Sequence, residues 1–136
     1  MKQPNDQVSS VFSQIKTFNG YTDGVRIMAN LHSRKTSCLV DFQAFRAFLQ
    51  KETGKYELTK SGEFYHNFQQ EGFAAIDCFN RSHISVRTFP GINDVVFDLF
   101  LSNDLPDNKL MSEHIYQRTI EFFESRVVQE NIRITS

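Results

Sequence analysis

The stretch FAAIDCFNRSHISVRTFPGINDVVFDLFLS, residues 73–102, decides the fold because it contains three strand-like segments in quick succession. The segments are FAAIDCFN, SHISVRTF and DVVFDLFLS, and each is rich in β-branched and aromatic residues. The connections between them are far shorter than the dozen or more residues that a parallel crossover needs. The three segments are therefore predicted to be antiparallel neighbours in one sheet.

A period of two sorts the side chains of these strands onto two faces. In the second segment, Ile84 and Val86 share the face predicted to lie under helices, and the opposite face carries His83, Ser85, Arg87 and Phe89. In the third, the core set is Val95, Phe97, Leu99 and Leu101, and the opposite set is Asp98, Phe100 and Ser102. An uncovered face that mixes phenylalanines with polar groups is typical of a ligand site or a sheet-to-sheet dimer surface.

Outside this stretch the pattern predicts further strands at VRIMANLH, KYELTKSGEFYHNF and RVVQENIRIT, the last at a sheet edge. Ser37 is predicted to cap a helix whose apolar stripe is Leu39, Phe42, Phe45, Phe48 and Leu49. A later helix carries Leu110, Ile115, Ile120, Phe122 and Phe123. The resulting order, βαββββαβ, predicts an α+β two-layer sandwich, an antiparallel sheet with two helices on one face.

The chain, residues 1–136, is predicted to be a single domain with an N-terminal helical extension over residues 1–20. In that extension, an apolar residue recurs at helical spacing within residues 6–18, at Val8, Val11, Phe12, Ile15 and Phe18. The segment NGYTDG that follows has the composition of a turn.

The composition excludes several classes of function. A formal net charge of −1, with scattered basic residues, does not indicate nucleic-acid binding. No stretch approaches the ~20 apolar residues of a membrane span, and the N-terminus lacks the apolar run of a signal peptide. Cys38 and Cys78 are too few for a disulfide framework or a zinc site, so we expect reduced thiols, no metal and a cytoplasmic location.

The segment RSHISVRTFPG, followed by DVVFDLFLS, resembles the bacterial and archaeal S-adenosylmethionine decarboxylases of polyamine (spermidine) synthesis, which carry a pattern close to ESHISIHTWPE. The segment FYHNFQQEGFAA is similar to the family's FHHFxPxGVSG segment, so the resemblance extends over about residues 24–123. It implies an enzyme whose serine attacks the preceding carbonyl and becomes a pyruvoyl group, an electron sink for decarboxylation. It also implies a dimer with its sites near the interface.

The resemblance places the processing and catalytic positions on four residues, three of which are chemically wrong for the family reaction. The nucleophile is kept as Ser82, although the preceding glutamate is Arg81. The processing serine falls on Ala74, which has no hydroxyl, and the processing histidine falls on Arg87, which cannot accept a proton at neutral pH. The catalytic cysteine falls on Ser102, a far weaker acid than a thiol.

The resemblance also implies a ligand site in which two aromatic rings hold an adenine. One aromatic is kept as Phe68, and the family's tryptophan is replaced by Phe89. The glutamate that binds the ribose in the family is replaced by Gly91. The sequence therefore predicts a site for a planar adenosyl or amino-acid ligand with a weaker hold on a sugar.

Each of these residues also has a structural interpretation. Phe68 and Phe89 can pack a dimer interface, and Arg87 can pair with Asp98 on the neighbouring strand. His66 reads as a half-buried sheet residue, although His66 or His83 is also a candidate for a replacement base. Cys78 alternates with Ile76 and is predicted to lie in the core.

Three functions stay open on the sequence. The first is a homologue that has lost self-processing, carries no cofactor, and binds a ligand or a partner subunit, most simply as a homodimer. The second is an active pyruvoyl-dependent decarboxylase of S-adenosylmethionine or another amino acid, with its pyruvoyl group formed from Ser82. The third is a structural or interaction domain that has kept only the fold.

Overall fold

The computed structural model of the chain describes residues 23–136, so the predicted N-terminal helix lies outside the described residues. The strands are β1 (Gly24–Ser33), β2 (Gly62–Phe68), β3 (Gly72–Phe79), β4 (Ser82–Phe89), β5 (Asp94–Ser102) and β6 (Ser125–Ile134). The helices are α1 (Gln43–Gly54) and α2 (Asn108–Phe122), and a 3-10 turn spans Thr36–Leu39. The predicted order of strands and helices is confirmed.

The described strands form a single sheet in the order β2-β3-β4-β5-β1-β6, and every neighbouring pair is antiparallel. Short turns connect β2 to β3, β3 to β4 and β4 to β5. Strand β1 lies between β5 and the edge strand β6. Both helices pack on one face, where the ring of Phe45 in α1 stacks on that of Phe123, which follows α2, at 5.6 Å between centres. The α+β two-layer sandwich with both helices on one face is therefore confirmed.

The core follows the predicted alternation in β4 and β5. Ile84 and Val86 are buried under the helices. In β5 the same face buries Val95, Phe97, Leu99 and Leu101. The opposite face, which we call the open face, carries Arg87, Phe89, Asp98 and the other predicted outward residues of these strands.

The predicted helix cap at Ser37 is wrong. Residues Thr36–Leu39 form a separate 3-10 turn, and α1 begins only at Gln43. The backbone N–H of Gln43 donates to the Asp41 carboxylate at 2.8 Å, and that of Phe42 donates to the Asn67 side chain at 3.0 Å. Because these acceptors satisfy the first N–H groups at residues 42 and 43, the helix begins there and not at Ser37.

The prediction that Cys78 lies in the core is also wrong. The buried apolar residues of β3 are Phe73, Ala75 and Phe79, so the alternation places Cys78 on the open face beside Ile76. The same alternation buries Asp77 under the helices, where its carboxylate accepts a hydrogen bond from the Tyr65 hydroxyl at 2.9 Å. Burial raises the pKa of Asp77, and the hydrogen bond from Tyr65 and the nearby Lys60 ammonium offset it only in part.

Candidate functional site

Ser82 and Ser102 lie together at one end of β4. Ser82 is the first residue of β4 and is only 2 % exposed. Its hydroxyl oxygen accepts a hydrogen bond from the backbone N–H of Ser102, the last residue of β5, at 2.9 Å. The buried amide of Asn108 donates to the Leu101 and Ser102 carbonyls at 3.2 and 3.3 Å, which fixes the end of β5. The predicted nucleophile is thus held by a backbone donor.

Arg87 and Ala74 lie directly opposite each other on β4 and β3. The Arg87 Nη1 atom donates to the backbone carbonyls of Glu71 and Thr88, each at 2.9 Å, and to that of Phe73 at 3.4 Å. These acceptors hold the guanidinium against the backbone around Gly72. Ala74 presents only a methyl group at this place.

The Arg87 guanidinium lies between the two predicted ligand-binding rings. Its central carbon is 4.1 Å from the centre of the Phe68 ring and 4.7 Å from that of the Phe89 ring. Phe68 stands on β2 and Phe89 on β4, on the two sides of β3. A planar cation that contacts both rings therefore occupies the space that a flat ligand between them would need.

Gly72 makes this arrangement possible, although the sequence alone did not identify it as a residue of the site. Its φ is +85°, and a Cβ atom there would lie 2.4 Å from the Thr88 carbonyl oxygen. Only glycine allows β3 to approach β4 so closely at this point. A glycine at the start of a strand-like segment, in QEGF, was the available signal.

The ion pair between Arg87 and Asp98 is not formed, which corrects the structural interpretation of Arg87. The register pairs Arg87 with Val96 and places Asp98 opposite Ser85. Asp98 instead lies beside His83, with 3.3 Å between its Oδ2 atom and the histidine Nε2 atom. The Asp98 Oδ1 atom is buried and has no hydrogen-bond partner among the described residues.

The two histidines that were candidates for a replacement base stand at opposite ends of the open face. His83 follows Ser82 directly and contacts Asp98. His66 is paired with Ala74 in the register and is exposed, not half-buried as predicted, because β2 is an edge strand. Its ring lies 4.7 Å from that of Phe68.

The structure divides the predicted site residues into two groups. Ser82 and Ser102 form the first group, and the second contains Ala74, Arg87, Phe68 and Phe89, with Gly91 in the turn that follows β4. Ser82 and Arg87 stand at opposite ends of the same strand, so about 17 Å of extended chain separates them. Within one chain the two groups are therefore too far apart to act on the same bond.

Among residues 23–136, no three His, Cys, Asp or Glu side chains are grouped so that they can hold a metal ion. No helix in that range is long and apolar enough to cross a membrane.

The chain forms an antiparallel sheet with its helices on one face. A serine begins β4, and an aromatic pair lies on the open face. These features together define the class of protein. Residues 25–132 match the family model described as S-adenosylmethionine decarboxylase. Over 81 residues the chain is 31% identical to the S-adenosylmethionine decarboxylase proenzyme of Archaeoglobus fulgidus, a match that spans 60% of this chain and 72% of that protein. The chain therefore belongs to the S-adenosylmethionine decarboxylase family.

A solved structure shows the same fold. The adenosylmethionine decarboxylase from Aquifex aeolicus superposes with a TM-score of 0.70, over 85% of this chain and 92% of that chain. The sequence identity in this comparison is 21%, so it supports the architecture alone.

Proposed function

We propose that this chain is a family member that has lost self-processing and acts as a non-catalytic homologue that binds a ligand or a partner subunit. The observation that carries the proposal is the position of Arg87, opposite Ala74 and between the Phe68 and Phe89 rings. One side chain thereby replaces the family's proton acceptor and fills the space between the aromatic pair.

The residues present do not fit the formation of a pyruvoyl group. Self-processing needs a donor that stabilises a tetrahedral oxyanion, and Ala74 has no hydroxyl to supply it. It then needs a base for the α-proton of Ser82, and the Arg87 guanidinium stays protonated. Three backbone carbonyls accept hydrogen bonds from that guanidinium and hold it at this position.

An active decarboxylase is the second candidate, because Ser82 and His83 are adjacent. His83 contacts Asp98, and an imidazole oriented by a carboxylate is the usual arrangement of a general base. In this alternative the pyruvoyl group forms from Ser82, and the substrate is S-adenosylmethionine or another amino acid. Cleavage of the Arg81–Ser82 bond distinguishes the two candidates.

Replacement of Arg87 by alanine tests the role of its guanidinium. We expect Arg87→Ala to bind adenosine at least about tenfold more tightly than the parent chain, because the space between Phe68 and Phe89 is then free for a flat ring. The measurement is isothermal titration calorimetry with adenosine. Arg26→Ala is the matched control, since the Arg26 guanidinium lies 5.2 Å from the Phe100 ring on the same face, and we expect no change there. Adenosine binding that is tighter in the parent than in Arg87→Ala would make Arg87 a ligand-binding residue and overturn this interpretation.

The open face supports a homodimer. It exposes Met28, Phe64, Ile76, Phe89 and Val96. Apolar residues grouped in this way on a sheet face are typical of an interface. A two-fold packing of open faces can also bring the Arg87 group of one chain toward the Ser82 end of its partner, which a single chain does not do.

Cys38 and Cys78 are unpaired thiols, which is consistent with the cytoplasmic location that we propose.

A charge on the open face is expected to break this dimer. Val96→Lys should raise the dimer dissociation constant at least about tenfold, because an ammonium group would be buried against apolar side chains. Val40→Lys is the control, since Val40 lies before α1 and is similarly exposed, at 49% against 43% for Val96. Sedimentation at micromolar concentration measures the effect. A parent chain that sediments as a monomer of 15.8 kDa would contradict the dimer.

A further inference from the structure

A pocket beside the Arg87 guanidinium lies at one end of the sheet. It is bounded by the turn that joins β2 to β3 and by the turn that joins β4 to β5, and its volume is about 420 Å³. Gln70 and Glu71 line it from the first turn, and Arg87 and residues 89–92 line it from β4 and the second turn. Clefts of this size, with an apolar wall and a few polar groups, are typical of small-molecule sites.

The Arg87 guanidinium uses only part of its hydrogen-bonding capacity within the chain. The Phe68 and Phe89 rings lie against it, with centres 4.1 and 4.7 Å from its central carbon, and Nη1 donates to three backbone carbonyls. Among residues 23–136, no acceptor lies within hydrogen-bond distance of Nε or Nη2. These two atoms form one edge of the guanidinium, and such an edge binds both oxygens of a carboxylate or phosphate side by side.

The positive charge of Arg87 is not neutralised by an acidic side chain. The Arg87 side chain is half-buried, and among residues 23–136 it forms no ion pair. Glu71 lines the pocket, but its carboxylate is not paired with the guanidinium, which contacts the Glu71 carbonyl instead. A partly desolvated cation whose partners are carbonyls and rings attracts an anion into the adjoining space.

The wall formed by the second turn is apolar. Phe89 is 37% exposed and Ile92 is 64% exposed, and Pro90 lies between them in the chain. At Gly91 a Cβ atom would meet no other atom within 4 Å, so the space beside this turn is open. A ligand that fills the pocket therefore needs an anionic group toward Arg87 and an apolar body toward Ile92.

We propose that this pocket binds an aromatic oxyanion, a carboxylate or a phosphate, through Nε and Nη2 of Arg87, with the aromatic body against Phe89 and Ile92. This inference rests on the proposed function and assigns its ligand to a chemical class. A neutral nucleoside has no charge to place on the unpaired edge of the guanidinium. An anion binds that edge without moving Arg87 from between the two rings.

Benzoate, phenyl phosphate and the neutral analogue benzamide test this proposal on the full-length chain. Shifts of the backbone amide NMR resonances, in a buffer without other oxyanions, give each dissociation constant and locate the site. We expect at least one of the two anions to bind at least about tenfold more tightly than benzamide, because the charge-assisted pair with Arg87 is lost in the amide. The largest shifts are expected at Gly91 and Ile92. The anion that binds more tightly identifies the ligand as a carboxylate or a phosphate.

Three substitutions separate the charge of Arg87 from other effects. Arg87→Gln should weaken binding of the preferred anion at least about tenfold and leave benzamide binding unchanged. Arg26→Gln is the matched control, because Arg26 also contacts a ring of the open face but does not line the pocket, and we expect no change. Glu71→Gln leaves Arg87 intact and removes a like charge from the pocket, so it should tighten anion binding at least about twofold.

The intact mass of the titrated sample distinguishes failure of this inference from failure of the proposed function. In an uncleaved chain, equal dissociation constants for benzamide and both anions overturn this inference and leave the proposed function standing. An anion preference that survives Arg87→Gln, or that weakens in Glu71→Gln, also overturns it. Cleavage between Arg81 and Ser82 overturns the proposed function, and this inference with it.

Discussion

The combined variant Ala74→Ser, Arg87→His and Ser102→Cys is expected to cleave its own Arg81–Ser82 bond at least about 10²-fold faster than the parent chain. One restored oxyanion donor typically lowers the barrier by ~3 kcal/mol, which is about 10²-fold in rate. A restored general base typically contributes a further factor of about 10²–10⁴. The two effects act on successive steps of one reaction, so the factors do not multiply, and the step that stays slower limits the gain.

The chemistry of the reaction explains why these positions matter. The acyl carbon of Arg81 must pass from the Ser82 nitrogen to the Ser82 hydroxyl oxygen through a tetrahedral oxyanion. Loss of the Ser82 α-proton then breaks the Cβ–O bond of the resulting ester and expels the Arg81 carboxylate. The dehydroalanine left at residue 82 tautomerises to an imine, and water hydrolyses it to the pyruvoyl group with release of ammonia. A serine at residue 74 and an imidazole at residue 87 lie opposite each other in the register of β3 and β4, so the two replacements restore one site. In the proposed dimer this site acts on the Ser82 end of the partner chain.

The matched control is the same combined variant with Ser82→Ala, which has no nucleophile and should stay intact. Time courses on denaturing gels, with intact-mass spectrometry of the products, measure the rates. If the combined variant sediments like the parent but cleaves no faster, the three substitutions are not what blocks processing. That result would remove the chemical basis of the proposed function.

Phe45→Ala is expected to lower the free energy of unfolding by about 3–5 kcal/mol. Phe45 is fully buried, and its ring contacts those of Phe48, Phe73, Phe122 and Phe123, with centres 5.6–5.9 Å away. These rings come from α1, β3 and the end of α2, so one truncation leaves a cavity where both helices meet the sheet.

Urea denaturation at one fixed protein concentration measures this loss, because a dimer's stability depends on concentration. Leu110→Ala is the control, since Leu110 lies on α2 and is 64% exposed, and its loss should cost less than about 1 kcal/mol. Equal losses for the two variants would show that the core is not organised around Phe45.

Most of the fold could be predicted from the sequence because the decisive strands allow few ways to assign their side chains to the two sheet faces. In β4 and β5 the charged residues and His83 all lie on one parity, so a single assignment of faces satisfies both strands. In β3 both parities carry apolar residues, so Cys78 was assigned to the wrong face and the burial of Asp77 was missed. The start of α1 was missed because an aspartate two residues before the helix, Asp41, replaced the predicted serine cap.

The candidate site was harder to predict because the role of each residue depends on contacts across strands. The sequence shows that Arg87 lies on the open face, but not that its guanidinium reaches over Gly72 to contact rings on both β2 and β4. The distance between Ser82 and Arg87 follows from the length of β4 alone and was available from the sequence. A second chain is needed to bring the two groups together, and the sequence of one chain does not show how two chains pack.

The intact mass of the purified parent chain tests the central claim most directly. The proposal predicts a single chain with the mass of the whole sequence, 15.8 kDa, and no carbonyl group at an N-terminus. Two fragments that break between Arg81 and Ser82, the second beginning with a blocked pyruvoyl N-terminus, would contradict it and identify the protein as a self-processing enzyme.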